Sequence, residues 1–313
     1  MNGKERVFSG RSHPELTDEI VKTLDITPGQ IIIQDFSDGE IWLRFEENIR
    51  GADVFIVQST NPPAKNLLEL LIIIDAAKRA SARRITAVIP YFGYGRQDRK
   101  DQPRVPISSR LMLDLITSAG ADRIVSMDLH SAQIQGFVNI PFDHLYAKSI
   151  FLDHLKMIVE GKEFTVVAPD VGGIKFARSY AKLIGAPLSI IDKRRPKPNH
   201  AEVLNFIGSR DISNALIIDD LIDTAGTIIQ AANLLKESGA KEIYVVATHG
   251  LFSGDAIDKI MSSPIDRVIV SNSINYPREK KFPKLDIVSV APILAEAINR
   301  IHNEESISTL FDY

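Results

Sequence analysis

Short runs of β-branched and other apolar residues alternate, along most of the chain, with stretches whose apolar positions recur every three or four residues. The runs predict strands at 30–33, 53–58, 85–90, 123–127, 165–168, 188–191, 215–218, 243–247 and 267–270. The longer periods predict helices at 14–23, 66–80, 107–118, 147–159, 173–183, 226–237 and 292–301. Strand-then-helix alternation predicts an α/β architecture of mostly parallel sheets flanked by helices, with right-handed crossovers. Ligands of such folds gather at the carboxyl ends of strands, so those turns are where chemistry is to be sought.

A length of 313 residues exceeds one typical core and predicts two domains. No Pro/Gly/Ser-rich linker separates them, but 146–161 is a helical stretch near the middle, with motif-bearing turns placed alike on either side. The division expected is 1–146 and 147–313, two similar halves. Thirty-seven basic residues against 40 acidic ones leave a net charge of −3, which gives nucleic acid no general field to bind. The absence of cysteine excludes disulfides, thiolate catalysis and thiolate metal sites, and suits a reducing compartment. The amino terminus lacks the apolar core of a signal peptide, and the longest apolar stretch, 67–77, is broken by Glu69 and Asp75. These features predict a cytoplasmic protein without a membrane segment.

The most informative stretch is LIIDDLIDTAGT, Leu216 to Thr227. A buried strand runs into Asp219 and Asp220, and Asp223, Thr224, Ala225, Gly226 and Thr227 then form a tight turn into a helix. The free N–H groups and dipole of that helix start favour a phosphate. The carboxylates cannot take the same phosphate; they suit vicinal hydroxyls, so the ligand expected is a sugar diol with a phosphate about one sugar away. On the acid pair alone, a capped turn with surface carboxylates explains as much.

Elsewhere the sequence offers three further strand-end turns. Tyr91-Phe-Gly-Tyr-Gly-Arg-Gln-Asp-Arg-Lys interleaves aromatics with cations and an amide, a mixture able to stack a purine and hold a polyphosphate, with a solvated basic loop as the alternative. His130 follows an apolar run, and with Asp170 it makes a candidate metal site whose two residues converge from different halves. A lone histidine in such a place is more often structural. Lys193-Arg-Arg-Pro-Lys-Pro is held out of a helix by its prolines, and reads either as a solvated loop or as a basic flap able to close over phosphates.

The 216–227 pattern resembles the ribose-phosphate motif of the phosphoribosyltransferase fold. With FSDGE (36–40), PYFGYGRQDRK (90–100), DLHSAQIQGF (128–137), APDVGG (168–173), IIDKRRPKPN (190–199) and NEESISTLF (303–311), the chain resembles the ribose-phosphate pyrophosphokinases from about Val7 to Phe311. It departs from their usual pattern at Gly95, Phe176 and Gly250. The resemblance implies two phosphoribosyltransferase-like domains, with ATP contacts in the first and the ribose 5-phosphate motif and catalytic flap in the second. It implies transfer of the β,γ-diphosphoryl group of ATP to O1 of ribose 5-phosphate.

On that resemblance Phe36 packs against adenine, while Asp38, Gly39, Glu40, Arg96 and Gln97 contact ATP. Asp219 and Asp220 hold the ribose hydroxyls, and Asp223 to Thr227 surround the 5-phosphate. Lys193 and Arg195 form the catalytic pair, Arg195 also touching substrate, and Mg²⁺ lies at His130 and Asp170. Few protein ligands plus substrate phosphates suit that ion. A homo-oligomer built from dimers, a hexamer, is also implied, one subunit lending its 36–40 turn to a neighbour's ATP site. Two rivals stand beside this reading: a phosphoribosyltransferase that consumes the diphosphate, and a non-catalytic regulatory subunit of the same family.

Overall fold

In the computed structural model, which describes residues 3–194, 203–208 and 212–310, the chain forms two units. The first opens on β1 (Glu5–Ser9), α1 (Pro14–Leu24) and the hairpin of β2 (Ile31–Asp35) with β3 (Ile41–Phe45). There follow β4 (Asp53–Val57), α2 (Lys65–Arg79), β5 (Arg84–Ile89), α3 (Ser108–Ala119), β6 (Arg123–Met127) and β7 (Phe142–Leu145). Its five-stranded sheet runs β1-β4-β5-β6-β7, parallel throughout. All five β4 residues are buried, as a parallel strand covered on both faces must be. Leu67, Leu70, Ile73, Ile74 and Ala77 give α2 the apolar stripe that packs into this core, each large aliphatic side chain contributing roughly 1.5–3 kcal/mol. The hairpin lies outside the sheet and sets Ile31, Ile33, Leu43 and Phe45 against the same core.

The second unit begins with α4 (Lys148–Val159), β8 (Thr165–Ala168), α5 (Ile174–Ile184), β9 (Leu188–Arg194) and β10 (Val203–Ile207). It continues through β11 (Asn214–Ile222), α6 (Gly226–Glu237), β12 (Glu242–Gly250), α7 (Ala256–Ser262), β13 (Arg267–Ser271) and β14 (Leu285–Val288). Its seven-stranded sheet runs β10-β9-β8-β11-β12-β13-β14, with only the β9–β10 pair antiparallel. From β8 the chain works outward to one side through β9, and from β11 to the other. The β8–β11 boundary is therefore a topological switch point, where the loops leaving neighbouring strands part and open a crevice.

The expected span 147–313 does not stay in one unit: Ser273–Asn275 and the stretch from Ser289 belong with the first. The first of these is held by Ser59, whose Oγ donates to the Ser273 carbonyl at 2.6 Å, and the second follows the last helix, α8 (Ala291–His302), whose buried face of Leu294, Ala297, Ile298 and Ile301 packs against α1. Its end is tied down by Arg84, which donates to the Ile301 carbonyl at 2.7 Å, and by His302 Nδ1 at 3.0 Å from Asp53 Oδ2. Among the described residues, no helix is long and apolar enough to cross a membrane.

Candidate active site

Asp219 and Asp220 do not end a strand at Ile218. β11 runs on to Ile222, because Asp219 pairs with Ala247, Leu221 with His249 and Ile222 with Gly250 of β12. On its other side β11 pairs with β8 only as far as Ile217, so the acids occupy a strand extension with one open edge, on the switch-point flank. Asp219 Oδ1 accepts from the Asp220 N–H at 2.9 Å. Burial, then the charge of Asp220 and more distantly that of Asp170, push the Asp219 carboxyl well above the usual carboxylate range. Asp170 leaves β8 on the same side of the switch point and accepts from Gly173 N at 2.9 Å through Oδ1.

Behind the acids, Ala225 adopts a left-handed backbone, φ 63°, and α6 starts at Gly226 without a side-chain cap. A non-glycine residue in that region stores local strain, a cost that binding turns often carry. The turn is braced from below by the loop after β12: Leu251 N donates to the Ile222 carbonyl at 2.8 Å and Ser253 N to that of Asp223 at 3.0 Å. Gly250 belongs to this brace. Its N–H donates to the Tyr276 hydroxyl at 3.0 Å, and a Cβ there would lie 2.6 Å from the Phe252 ring, so a larger residue requires that ring to move. Sequence reading missed Tyr276 and Ser253, because neither carries a pattern that marks a contact across a sheet edge.

In the first unit the 36–40 turn caps the hairpin. Phe36 N donates to the Glu40 carbonyl at 2.8 Å, Gly39 N to the Phe36 carbonyl at 2.9 Å and Glu40 N to Asp38 Oδ1 at 3.0 Å. Gly39, φ 94°, supplies the backbone this turn needs. Phe36 is 52% exposed, an aromatic ring presented at a tip rather than packed.

The aromatics of the 91–100 turn need correction as a stacking set: Tyr91 and Phe92 are buried in the core, and of the three only Tyr94 is exposed. A Cβ at Gly93 would fall 2.2 Å from the Thr60 carbonyl oxygen, which is why glycine interrupts them. Arg96 and Gln97 are exposed. Gln97 is held to the start of α3, its carbonyl accepting from Ser109 N at 3.2 Å and its Oε1 from Ser108 Oγ at 2.5 Å. His130 is exposed two residues beyond Asp128, which sits at φ 35°.

Arg195 lies outside the described residues, and Lys193 pairs through its backbone with Leu204. Among the described residues, no group of three or more His, Asp or Glu side chains is placed to hold a metal ion.

Parallel α/β proteins with strand-end turns around a switch-point crevice form a broad class of ligand-binding proteins, and this chain has that architecture. Residues 5–120 match the N-terminal domain of ribose phosphate pyrophosphokinase, and residues 188–312 match the phosphoribosyl synthetase-associated domain. A ribose-phosphate pyrophosphokinase of Chlorobaculum tepidum is 52% identical over 98% of this chain and 95% of its own length, and one of Clostridium perfringens 51% identical over 98% and 97%. The crystal structure of phosphoribosylpyrophosphate synthetase from Mycobacterium smegmatis superposes with a TM-score of 0.90 at 42% identity, covering 96% of this chain and 99% of that one. The chain belongs to the ribose-phosphate pyrophosphokinases, a family of enzymes.

Proposed function

We propose that the protein transfers the β,γ-diphosphoryl group of ATP to O1 of ribose 5-phosphate, giving 5-phosphoribosyl 1-diphosphate and AMP. The observation that carries this reading is the Asp219–Thr227 stretch: two carboxylates on an open strand extension, followed by a strained turn into an uncapped helix start. A carboxylate whose charge is disfavoured by burial and by its neighbour gains when hydroxyl donors or a cation arrive, so Asp219 and Asp220 suit the ribose diol. The 223–227 backbone suits its 5-phosphate. The O1–Pβ bond forms as the bond from Pβ to the oxygen bridging it to Pα breaks; AMP leaves with that bridging oxygen, and the O1 proton passes to water.

ATP is assigned to the Phe36–Glu40 turn, with Phe36 on the adenine, and to Arg96 and Gln97. Positioning and charge stabilisation supply most of the acceleration in such transfers, so Lys193 and Arg195 are assigned to the charge that builds on the transferring group. Mg²⁺ would be held by Asp170 and His130 together with substrate phosphates, which it would orient and neutralise. Asp170 has one carboxylate oxygen engaged by Gly173 N, and an ion that takes few protein ligands leaves most of its coordination to water and phosphate. A homo-oligomer, a hexamer in which the 36–40 turn serves a neighbouring subunit, and a cytoplasmic location complete the reading.

The test is AMP production from ATP by the purified chain, followed with and without ribose 5-phosphate. Formation of AMP that requires the sugar phosphate is expected. Consumption of added 5-phosphoribosyl 1-diphosphate with no AMP from ATP would place the protein among the phosphoribosyltransferases, and no turnover would make it a non-catalytic subunit.

A further inference from the structure

The Phe36–Glu40 turn hangs on a hairpin outside the main sheet, so no ladder of strands fixes the direction of its tip. Apolar packing of Ile31, Ile33, Leu43 and Phe45 seats the hairpin on the core but leaves its polar end to other forces. A chain of charged groups reaches that end. Glu69 of α2 is only 2% exposed, and its carboxylate accepts from Arg11 N at 2.6 Å, Arg11 Nε at 2.5 Å and Gln58 Nε2 at 3.1 Å. Gln58, fully buried, accepts in turn from Ser12 N at 3.0 Å, so the loop after β1 is gripped twice.

The far side of the same guanidinium, Arg11 Nη2, donates to Asp35 Oδ1 at 2.9 Å. Asp35 is the last residue of β2 and directly precedes Phe36. Lys65 pairs with Asp35 Oδ2 at 2.7 Å and donates to the Gly39 carbonyl at 3.3 Å, touching the turn from its other end. A guanidinium is planar and presents donors on two edges, so one arginine spans two carboxylates at fixed angles. A lysine in its place reaches one of them.

We propose that Arg11, clamped by the buried Glu69, is a positioning residue that sets the direction of the Phe36–Glu40 turn through Asp35. This rests on the assignment of that turn to ATP. Arg11 touches no substrate; it acts by holding the strand end from which Phe36 projects. Neither Arg11 nor Glu69 belongs to a motif, and their connection spans 58 residues of sequence.

The test uses the full-length protein and its single tryptophan, Trp42, which lies in the hairpin opposite Gln34. Arg11→Gln and Asp35→Asn are compared with Arg11→Lys and Phe36→Ala by acrylamide quenching of Trp42 and by KM for ATP and for ribose 5-phosphate. Asp35→Asn removes the charge that Arg11 and Lys65 both hold and leaves the buried Arg11–Glu69 pair intact, so it serves even if Arg11→Gln folds poorly, and Arg11→Gln separates the part that Arg11 plays. Arg11→Gln and Asp35→Asn should loosen Trp42 and raise KM for ATP about tenfold, the size of one lost charged hydrogen bond, with KM for ribose 5-phosphate unchanged. Arg11→Lys should recover part of that loss.

Unchanged quenching in folded variants overturns the proposal, as does an equal rise in both KM values. A rise in ATP KM for Phe36→Ala alone overturns it too. If Trp42 loosens while neither the link variants nor Phe36→Ala change KM for ATP, the mechanical link stands and the assignment of the turn to ATP falls.

Discussion

Asp35 in the first unit and Asp219 in the second are both aspartates at or near the carboxyl end of a strand, and their surroundings drive them in opposite directions. Arg11 and Lys65 hold the Asp35 carboxyl down at about 2. Burial and the neighbouring acids Asp220 and Asp170 push Asp219 up. Two buried acids of the first unit also lie beside cations: Asp53 against Arg84 and His302, and Glu69 against Arg11. An acid that secures the fold sits beside its counter-charge. On the proposed function Asp219 is kept for a ligand, among groups that make its charge costly until the ligand arrives, and that arrangement costs some stability.

The widest separation of the two kinds should come from Asp53→Ala. Removing one member of a buried charged cluster costs about 3–5 kcal/mol, because Arg84 keeps its charge and loses its partner. Denaturant unfolding should show the loss, with KM for both substrates unchanged in the protein that still folds. An unchanged midpoint would remove Asp53 from the structural class.

Lys193→Ala and Arg195→Ala should do the reverse. Turnover is expected to fall ~100–1000-fold with little change in ribose 5-phosphate binding, since such donors act on charge that develops in the transition state. Normal turnover in either variant would withdraw its assignment.

Asp219→Asn is expected to combine both readouts with opposite signs. KM for ribose 5-phosphate should rise ~10–100-fold through the loss of a charged hydrogen bond. The melting temperature of the ligand-free protein should rise by about 1–3 °C as the disfavoured charge is removed. A fall in melting temperature would show that Asp219 is stabilising and would break the comparison.

The smallest effect is in the pH profile. Asp35 has a depressed folded value, so its contribution to stability is present above the usual carboxylate value of 3.8 and is lost as pH falls through about 2. Asp219 has a raised folded value, so more protons are bound in the folded state just above the ordinary carboxylate range, and stability falls as pH climbs through that window. Asp219→Asn should flatten the second slope and Asp35→Asn the first, as read from melting temperature against pH.

Much of this was legible in the chain itself. The helices expected at 226–237 and 147–159 appear as Gly226–Glu237 and Lys148–Val159, because a strong apolar period with a clear stop needs no tertiary help. The strands β1, β3, β7, β10 and β14 and the short helix α7 were not predicted. Each is brief and most carry charge: ERVFS and FDHL are strands because a neighbour supplies the ladder, and Asp143 of β7, which pairs with Val125, is met by the guanidinium of Arg123 from two residues along β6.

What the sequence determined by itself was local and chemical: the period of each long element, the turn residues at 36–40 and 223–227, and the residue types able to hold a diol, a phosphate and a nucleotide. Tertiary structure decided which acids lie beside a cation and which lie beside another acid, that β11 carries Asp219 and Asp220 past the end of β8, that Tyr91 and Phe92 serve the core, and that α8 packs with the first unit rather than the second. The physical reason is that a residue's type is carried by the chain, whereas its charge state and exposure depend on neighbours brought in from far along it.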